Sequence, residues 1–336
     1  MTIYDISKQA GVSIATVSRV LNGSENVKPK TRKKVLDIIE QCGYTPNVFA
    51  RGLGLNSMKT VGILCADSSD IYLAKAVYHI ERNLKTAGYH SILNCTGYDL
   101  AHKKEGLSLL LNQRVDSIIM VGSNFISENE KDNQYIRDAA KQVPVMLLNG
   151  DLDCENVFCT MCDDYKSMKE VTGRLLSQKI HDILFLYHSR TYSSMKKLAG
   201  YQAAYVSMDL PLSKDLTCFF NGSHEDIDGV CDYLCNLHDK GLRFRAVVAA
   251  DDMLAVGAVK YARKMNLRIP QDIKIVGYNN SILSVCSEPK LTTVDNHLEL
   301  LCSQLVKTCI CTLGGTSQPA KTIFSGEIIL RESANL

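Results

Sequence analysis

What this sequence does without narrows the field before anything it contains. It has no run of ~18 apolar residues of the kind that spans a bilayer, and its start, Met1-Thr2-Ile3-Tyr4-Asp5, lacks the basic and apolar regions of a secretory signal. A cytoplasmic location with no membrane partner is the expectation. It has no G-x-G-x-x-G, no Walker sequence and no G-x-S-x-G elbow, the local signatures of dinucleotide, nucleotide and hydrolase chemistry. Cys159-Thr160-Met161-Cys162 is the only C-x-x-C, and neither a second pair nor a histidine partner stands near it. No metal and no cofactor are therefore expected, and the thirteen cysteines read as small apolar core residues of a reducing compartment. The neighbouring acids Asp163-Asp164 and Asp251-Asp252 cannot face each other as an acid/base pair must, so no catalytic residue is expected.

What is present divides unevenly. The 336 residues suit a ~50-residue module followed by an α/β body of one or two lobes. The net charge of +2 conceals nine Lys and Arg against four acids in residues 1–60, a local +5, and −3 over the rest. A basic head on a slightly acidic body fits a polyanion reader, because phosphate contacts supply much of nucleic-acid affinity. A solvated basic face is the competing reading of the charge alone.

The head resolves into helices. Thr2 is a good N-cap with Asp5 three residues on, and Ile3, Ile6 and Ala10 follow at helical spacing, so a helix is predicted over 3–10. Gly11 suits the left-handed turn that ends it, and Ser13 caps a second helix with Val17, Val20 and Leu21 as its apolar stripe. Ile14, Ala15, Ser18, Arg19 and Asn22 are left on the outer face, with Thr16 at its edge. Small and polar residues around one Arg fit the major groove, where a guanidinium can donate twice to guanine. A third helix is predicted after Val27-Lys28-Pro29, with Val35, Ile38, Ile39 and Cys42 inward and Gly43 closing it.

The run Ala10-Gly11-Val12-Ser13-x-Ala15-Thr16-Val17-Ser18-Arg19-Val20-Leu21-Asn22-Gly23, followed by Gly43-Tyr44-x-Pro46-Asn47 and Ala50-Arg51-x-Leu53, resembles the LacI/GalR family of bacterial transcriptional regulators. The resemblance implies that Ile14, Ala15, Ser18 and Arg19 read base edges while Ser13, Thr16 and Asn22 hold phosphates. It also implies a hinge over 46–56 that becomes helical when two copies meet on DNA, with Arg51 as a contact and Leu53 wedged into the minor groove. Gly52 and Gly54 each cost roughly 1 kcal/mol of helix propensity, so ordering should be coupled to binding. A passive linker is the alternative reading of that stretch. Lys28 stands where relatives usually carry a capping Ser.

From Thr60 onward apolar runs alternate with helical segments: Val61–Ala66, Ser91–Cys95, Ser117–Val121, Val143–Leu148, Asp182–Tyr187, Leu216–Phe219, Ala246–Ala250 and Ile273–Gly277. Such alternation predicts parallel sheets with helices on both faces. Ligands in such sheets bind beyond the carboxyl ends of the strands, which selects Asp67, Ser69, Asp70, Tyr72, Asn149, His188, Phe220, Asn221, Asp251, Asp252, Asn279 and Asn280. Hydrogen-bonding groups with a few aromatics suit a polyol or sugar, although each residue alone also reads as a helix cap or loop solvator. Leu198-Ala199-Gly200-Tyr201, Ala249–Ala258 and Val276–Asn280 resemble the periplasmic-binding-protein-like core of the same family, and the resemblance implies that Lys197 and Asp252 clamp the effector. Lys there replaces the Arg of relatives and loses its forked donor geometry, while Asn149 replaces a frequent acid and Lys179-Ile180 a usual Gly-His.

The expectation is thus a small all-α helix-turn-helix domain (1–45), a hinge (46–58), and a two-lobed α/β body with parallel sheets, periplasmic-binding-protein-like (59–336). The N-lobe is expected at about 59–160 plus 292–318 and the C-lobe at about 161–290 plus 322–336. The expected effector residues are Ser69, Asp70, Tyr72, Asn149, Lys197, Phe220, Asn221, Asp252 and Asn279. Function follows as a homodimeric repressor of a pseudo-palindromic operator in double-stranded DNA, controlled by a small-molecule effector. The alternatives are a regulator that needs a co-repressor or has a vestigial pocket, and, from other classes, a sugar-binding protein or a sugar-metabolising enzyme.

Overall fold

The computed structural model describes residues 2–21, 24, 26–43, 57–223 and 225–336. Asn22, Arg51, Leu53 and the hinge over 46–56 lie outside the described residues.

The head is three helices around one small core. Helix α1 (Ile3–Ala10) starts where the Asp5 carboxylate accepts the Thr2 N–H at 2.8 Å and the Thr2 hydroxyl at 2.9 Å. It stops at Gly11, whose φ of 61° is a left-handed conformation that glycine adopts without a Cβ penalty. Helix α2 (Ile14–Leu21) is capped by Ser13, whose Oγ accepts the Thr16 N–H at 3.2 Å. Helix α3 (Pro29–Gln41) opens with proline and has no side-chain cap from Lys28. Ile6, Ala10, Val17, Val20, Val27 and Val35 form the buried core, with Leu21, Ile38, Ile39 and Cys42 packed partly against it.

The body contains two six-stranded sheets. In chain order its elements are β1 (Thr60–Cys65), α4 (Ile71–Thr86), β2 (His90–Cys95), α5 (Leu100–Asn112), β3 (Ser117–Val121), α6 (Gln134–Ala140), β4 (Val145–Leu148), β5 (Val157–Cys162), α7 (Asp164–Ser177), β6 (Ile183–Tyr187), α8 (Tyr192–Ser207), β7 (Thr217–Phe219), α9 (Ile227–Asp239), β8 (Ala246–Ala249), α10 (Asp252–Lys264), β9 (Lys274–Tyr278), α11 (Ile282–Cys286), β10 (Thr292–Asp295), α12 (Leu298–Leu313), β11 (Lys321–Phe324) and β12 (Glu327–Ile329). The first sheet runs β11-β5-β4-β3-β1-β2 and is parallel throughout; the second runs β12-β10-β9-β8-β6-β7, parallel except that β12 is antiparallel to β10.

Both faces of the first sheet are covered, which is why its strands read as continuous apolar runs. Ile63, Ile119, Met146 and Leu148 pack with Ile80, Leu84, Leu301 and Leu305 of α4 and α12, while Leu64, Ile118, Met120 and Leu147 pack with Leu107, Leu110 and Ile136 of α5 and α6. The same period of two separates Cys159 from Cys162: three positions apart on β5, they enter opposite cores and cannot ligate one ion.

Two expectations need correction. The strand at 292–295 belongs to the second sheet, where Thr292 pairs with Val276, and the strand at 321–324 belongs to the first, where Lys321 pairs with Cys159. The chain passes between the sheets three times, after β5, after β10 and after β11, so each lobe ends about one strand away from the boundary that sequence patterning suggested.

Candidate functional site

With Val17 and Val20 turned into the head's core, α2 presents Ser13, Ile14, Ala15 and Arg19 exposed, and Thr16 and Ser18 half-buried. The Ser13 and Thr16 hydroxyls sit 2.9 Å apart and organise the front of the helix. Lys28, Lys30, Lys33 and Lys34 are exposed on and just before α3, and the Arg32 guanidinium donates to the Ser24 carbonyl. One guanidinium, two hydroxyls and a methyl at a helix front, flanked by ammonium groups, are what direct base readout with phosphate anchoring requires.

The second site arises from strand order. In the first sheet β1 lies between β2 and β3, so the connections leave β1 and β3 in opposite directions; β6 and β8 do the same in the second. Each reversal opens a crevice at the carboxyl ends of those strands. One cleft of about 170 Å³ is lined from both: by Asp70, Tyr72, Asn124 and Asn149 on one side, and by His188, Ser193, Lys197, Asp251 and Asn279 on the other.

Its polar groups are bound mainly to one another. The Tyr72 hydroxyl accepts from the Asn149 amide at 2.6 Å and from the Asn296 amide at 3.1 Å, and Asn296 also donates to Asn279 Oδ1 at 3.1 Å. Burial keeps the Tyr72 phenol well above its ordinary pKa, hence protonated. Asn149 Oδ1, Asn296 Oδ1 and Asn124 Nδ2 are buried without a hydrogen-bond partner. Each such atom costs about 1–3 kcal/mol unless an occupant satisfies it. Two acceptors and a donor beside a phenol call for a ligand that both donates and accepts, as vicinal hydroxyls do.

Lys197 and Asp252 both border the cleft, yet protein partners hold each of them. Lys197 Nζ donates to the Ala250 carbonyl at 2.9 Å and stands 3.8 Å from the centre of the Tyr278 ring, a cation–π distance. Asp252 is 1 % exposed and accepts from Thr293 Oγ1 at 2.6 Å, the Ser281 N–H at 2.7 Å and the Ser281 hydroxyl at 2.8 Å. Burial pushes its carboxyl up to about 6, against the lowering effect of those three bonds. Gly277 makes room for it, because a Cβ there would lie 2.2 Å from Asp252 Oδ1. The more exposed carboxylate is Asp251, which caps α10 through the Leu254 N–H at 2.8 Å and has Oδ2 3.3 Å from His188 Nδ1.

Among the expected effector residues, Asp70, Tyr72, Asn149, Lys197, Asp252 and Asn279 come together at this cleft, and Ser69, Phe220 and Asn221 do not. The Ser69 N–H and hydroxyl both go to the Asp67 carboxylate, at 2.8 and 2.7 Å. Phe220 is buried against Tyr233, ring centres 5.6 Å apart, and Asn221 is exposed. Both follow β7, an edge strand, whose carboxyl end lies beside the crevice rather than in it. Ser123, Asn124, Ser193 and Asn296 line the cleft without having been expected. The strand-end rule applied after β3 would have found Ser123 and Asn124, and applied after β10, which was not among the strands read from sequence, would have found Asn296.

Residues 2–47 match the bacterial regulatory proteins of the lacI family, and residues 172–334 match a periplasmic binding protein-like domain. An HTH-type transcriptional regulator of Lachnoclostridium phytofermentans is 50% identical over 335 residues, spanning 100% of both chains. The HTH-type transcriptional regulator AscG of Escherichia coli is 30% identical over 336 residues, covering 99% of this chain and 98% of its own. The solved structure of the Lac repressor dimer bound to operator and the anti-inducer ONPF has the same fold, with a TM-score of 0.85 at 22% identity over 99% of this chain and 98% of that one.

Proposed function

The chain belongs to the lacI family of bacterial regulatory proteins and is a DNA-binding transcriptional regulator, and from that premise we propose a cytoplasmic homodimeric repressor whose hold on its operator is set by a small sugar or sugar derivative between the lobes. In this reading residues 1–45 are the DNA-binding head, 46–58 the hinge, and the rest the effector-binding and dimerisation body. Among the described residues no helix is long and apolar enough to cross a membrane. Arg19 reads a base in each half of a pseudo-palindromic operator; Ser13, Thr16 and Asn22 hold phosphates; Arg51 and Leu53 engage the minor groove. The Lac repressor, solved as a dimer on operator with an anti-inducer, supports both the dimer and the coupling.

The observation that carries the effector proposal is the set of buried, unpartnered amide atoms on Asn124, Asn149 and Asn296. Three polar atoms that need an occupant at the meeting of two crevices favour a working pocket over a vestigial one. The cleft, about 170 Å³, is smaller than the roughly 300–1,000 Å³ of drug-sized sites. One sugar ring suits it better than a chain. Ligand binding favours one lobe orientation over the other, and that preference is what reaches the DNA.

The test is to select duplexes from a random pool with the full-length protein, then titrate the complex with neutral monosaccharides, sugar acids and disaccharides. Calorimetry on the free protein runs beside it. One monosaccharide class should bind and change operator affinity. Absence of binding by every compound at millimolar concentration, with operator affinity unmoved, sinks the effector proposal and leaves the DNA-binding regulator standing.

A further inference from the structure

The chain enters the body through residues 57–60, and the first lobe grips this segment beyond what strand pairing needs. The grip comes from Asp116, one residue before β3. Its carboxylate accepts the Met58 N–H at 2.9 Å on Oδ1, and the Thr60 N–H at 3.0 Å and the Ser57 hydroxyl at 3.1 Å on Oδ2. The Asp116 N–H donates to the Thr60 carbonyl at 2.8 Å, and the His90 N–H to the Lys59 carbonyl at 2.8 Å. Between these bonds Lys59 takes a φ of 49°, a left-handed conformation that a lysine adopts only when its surroundings impose it. Its ammonium donates to the Tyr89 hydroxyl at 3.1 Å and sits 4.4 Å from that ring's centre.

Ser57 and Met58 precede β1 and pair with no strand, so the bonds they make to Asp116 lie outside the sheet's ladder. What those bonds fix is the place and direction in which the chain arrives from the head. We propose that Asp116 is a positioning residue that clasps the head-to-body connection to the first lobe, so that lobe movement displaces the head instead of being absorbed at residues 57–60. Carboxylate oxygens suit the task because all three groups facing them donate.

This inference rests on the dimeric regulator reading, and its consequence is geometric. A dimer reads half-site spacing through the separation of its two heads. Fixed departure points make one spacing favourable; loosened ones broaden the reach and dilute the effective concentration of the second head at its half-site.

The decisive variant is Asp116→Asn, which keeps the shape but turns an NH₂ group toward N–H and O–H donors. The full-length chain is measured on three duplexes: the operator selected by the wild type, the same operator with one base pair inserted at its centre, and an unrelated sequence. The wild type should prefer the selected spacing by at least about tenfold, and Asp116→Asn should discriminate by less than about threefold, with affinity for the unrelated duplex unchanged. A second variant, Lys59→Gly, accepts the left-handed backbone while releasing the Tyr89 tether, and should narrow the discrimination too; it decides the matter if Asp116→Asn does not fold. A wild-type spacing ratio in Asp116→Asn, with full affinity or with a uniform loss, overturns the clasp, as does an unaltered ratio in Lys59→Gly should Asp116→Asn unfold. Selection of no duplex by the wild-type chain overturns the regulator reading and takes the clasp with it.

Discussion

The reading helix and the cleft are both polar surfaces, but their polar groups stand in opposite relations to the fold. On α2 the outward groups face water: Arg19, Ser13 and Ala15 are exposed, Ile14 is 39 % exposed, and the core they ride on is built from Val17 and Val20 behind them. In the cleft the groups are buried and bonded to one another, so Asn296 is 2 % exposed and Asp252 1 %. Apart from Ser13 and Thr16, whose bonds cap the helix, an outward residue of α2 can change its chemistry without disturbing what holds the helix. A residue of the cleft cannot, because the bonds that present it to a ligand also join separate segments of the body. Recognition and stability are therefore separable in the head and coupled in the body.

The largest expected effect tests the separable side. Arg19→Ala should remove about 1–3 kcal/mol of discrimination per half-site, and a symmetric dimer loses it twice. The head's melting should stay within about 0.5 kcal/mol of the wild type, as for a surface change away from caps and core. Anisotropy on selected and unrelated duplexes, beside thermal melts, measures both. A lowered melting temperature, or retained discrimination, breaks the comparison at its simpler end.

On the coupled side the strongest handle is pH. The Asp252 carboxyl titrates at about 6 in the folded protein, against an ordinary 3.8, with burial as the main cause. Between those values the folded state holds a proton that the unfolded state has released, so this group's contribution to stability is greatest below about pH 4. It declines as pH rises through 6 and levels off above. The slope is about 1.4 kcal/mol per pH unit within that window. The stability of the wild type relative to Asp252→Asn should therefore fall from pH 4 to pH 6 and then hold constant, as read by denaturant unfolding at each pH. A difference that is flat across the window would mean that the bonds from Ser281 and Thr293 offset the effect of burial, and would sink the prediction.

The same contrast explains what could be read from sequence. The head is local: its caps, its glycine turn and its apolar stripes all lie within a few residues of what they control, so α1 appears at 3–10 by spacing alone and Arg19 is found by elimination from the stripe. The cleft is assembled by topology. Tyr72, Asn149 and Asn296 each follow a strand and were reachable one by one, but Asn296 meets Tyr72 across 224 residues of chain, and nothing near either in sequence marks the meeting. Phe220 and Asn221 were drawn in by a strand-end rule used without strand order, which is knowable only once β7 is placed at the edge. Strand β5 (Val157–Cys162) was not among the apolar runs read from sequence, although its cysteines act there as apolar residues on two faces.

The smallest expected effect probes the joint between the cleft's two duties. Tyr72→Phe keeps the ring and removes the oxygen that accepts from Asn149 and Asn296. Asn296 retains its bond to Asn279, whereas the Asn149 amide loses its protein acceptor, so the body should lose about 1 kcal/mol, the low end for a buried donor left without a partner. Without the phenol the Asn149 side chain is free to turn, and its Oδ1 no longer points where a ligand hydroxyl needs it. Affinity for the sugar that shifts operator binding should then drop by about fivefold to tenfold, the same free energy seen from the ligand's side. Calorimetry with that sugar and a denaturant melt of the free protein give the two numbers. Equal losses mean that one set of bonds serves both recognition and stability; a loss of affinity with no loss of stability would show the cleft to be as separable as α2.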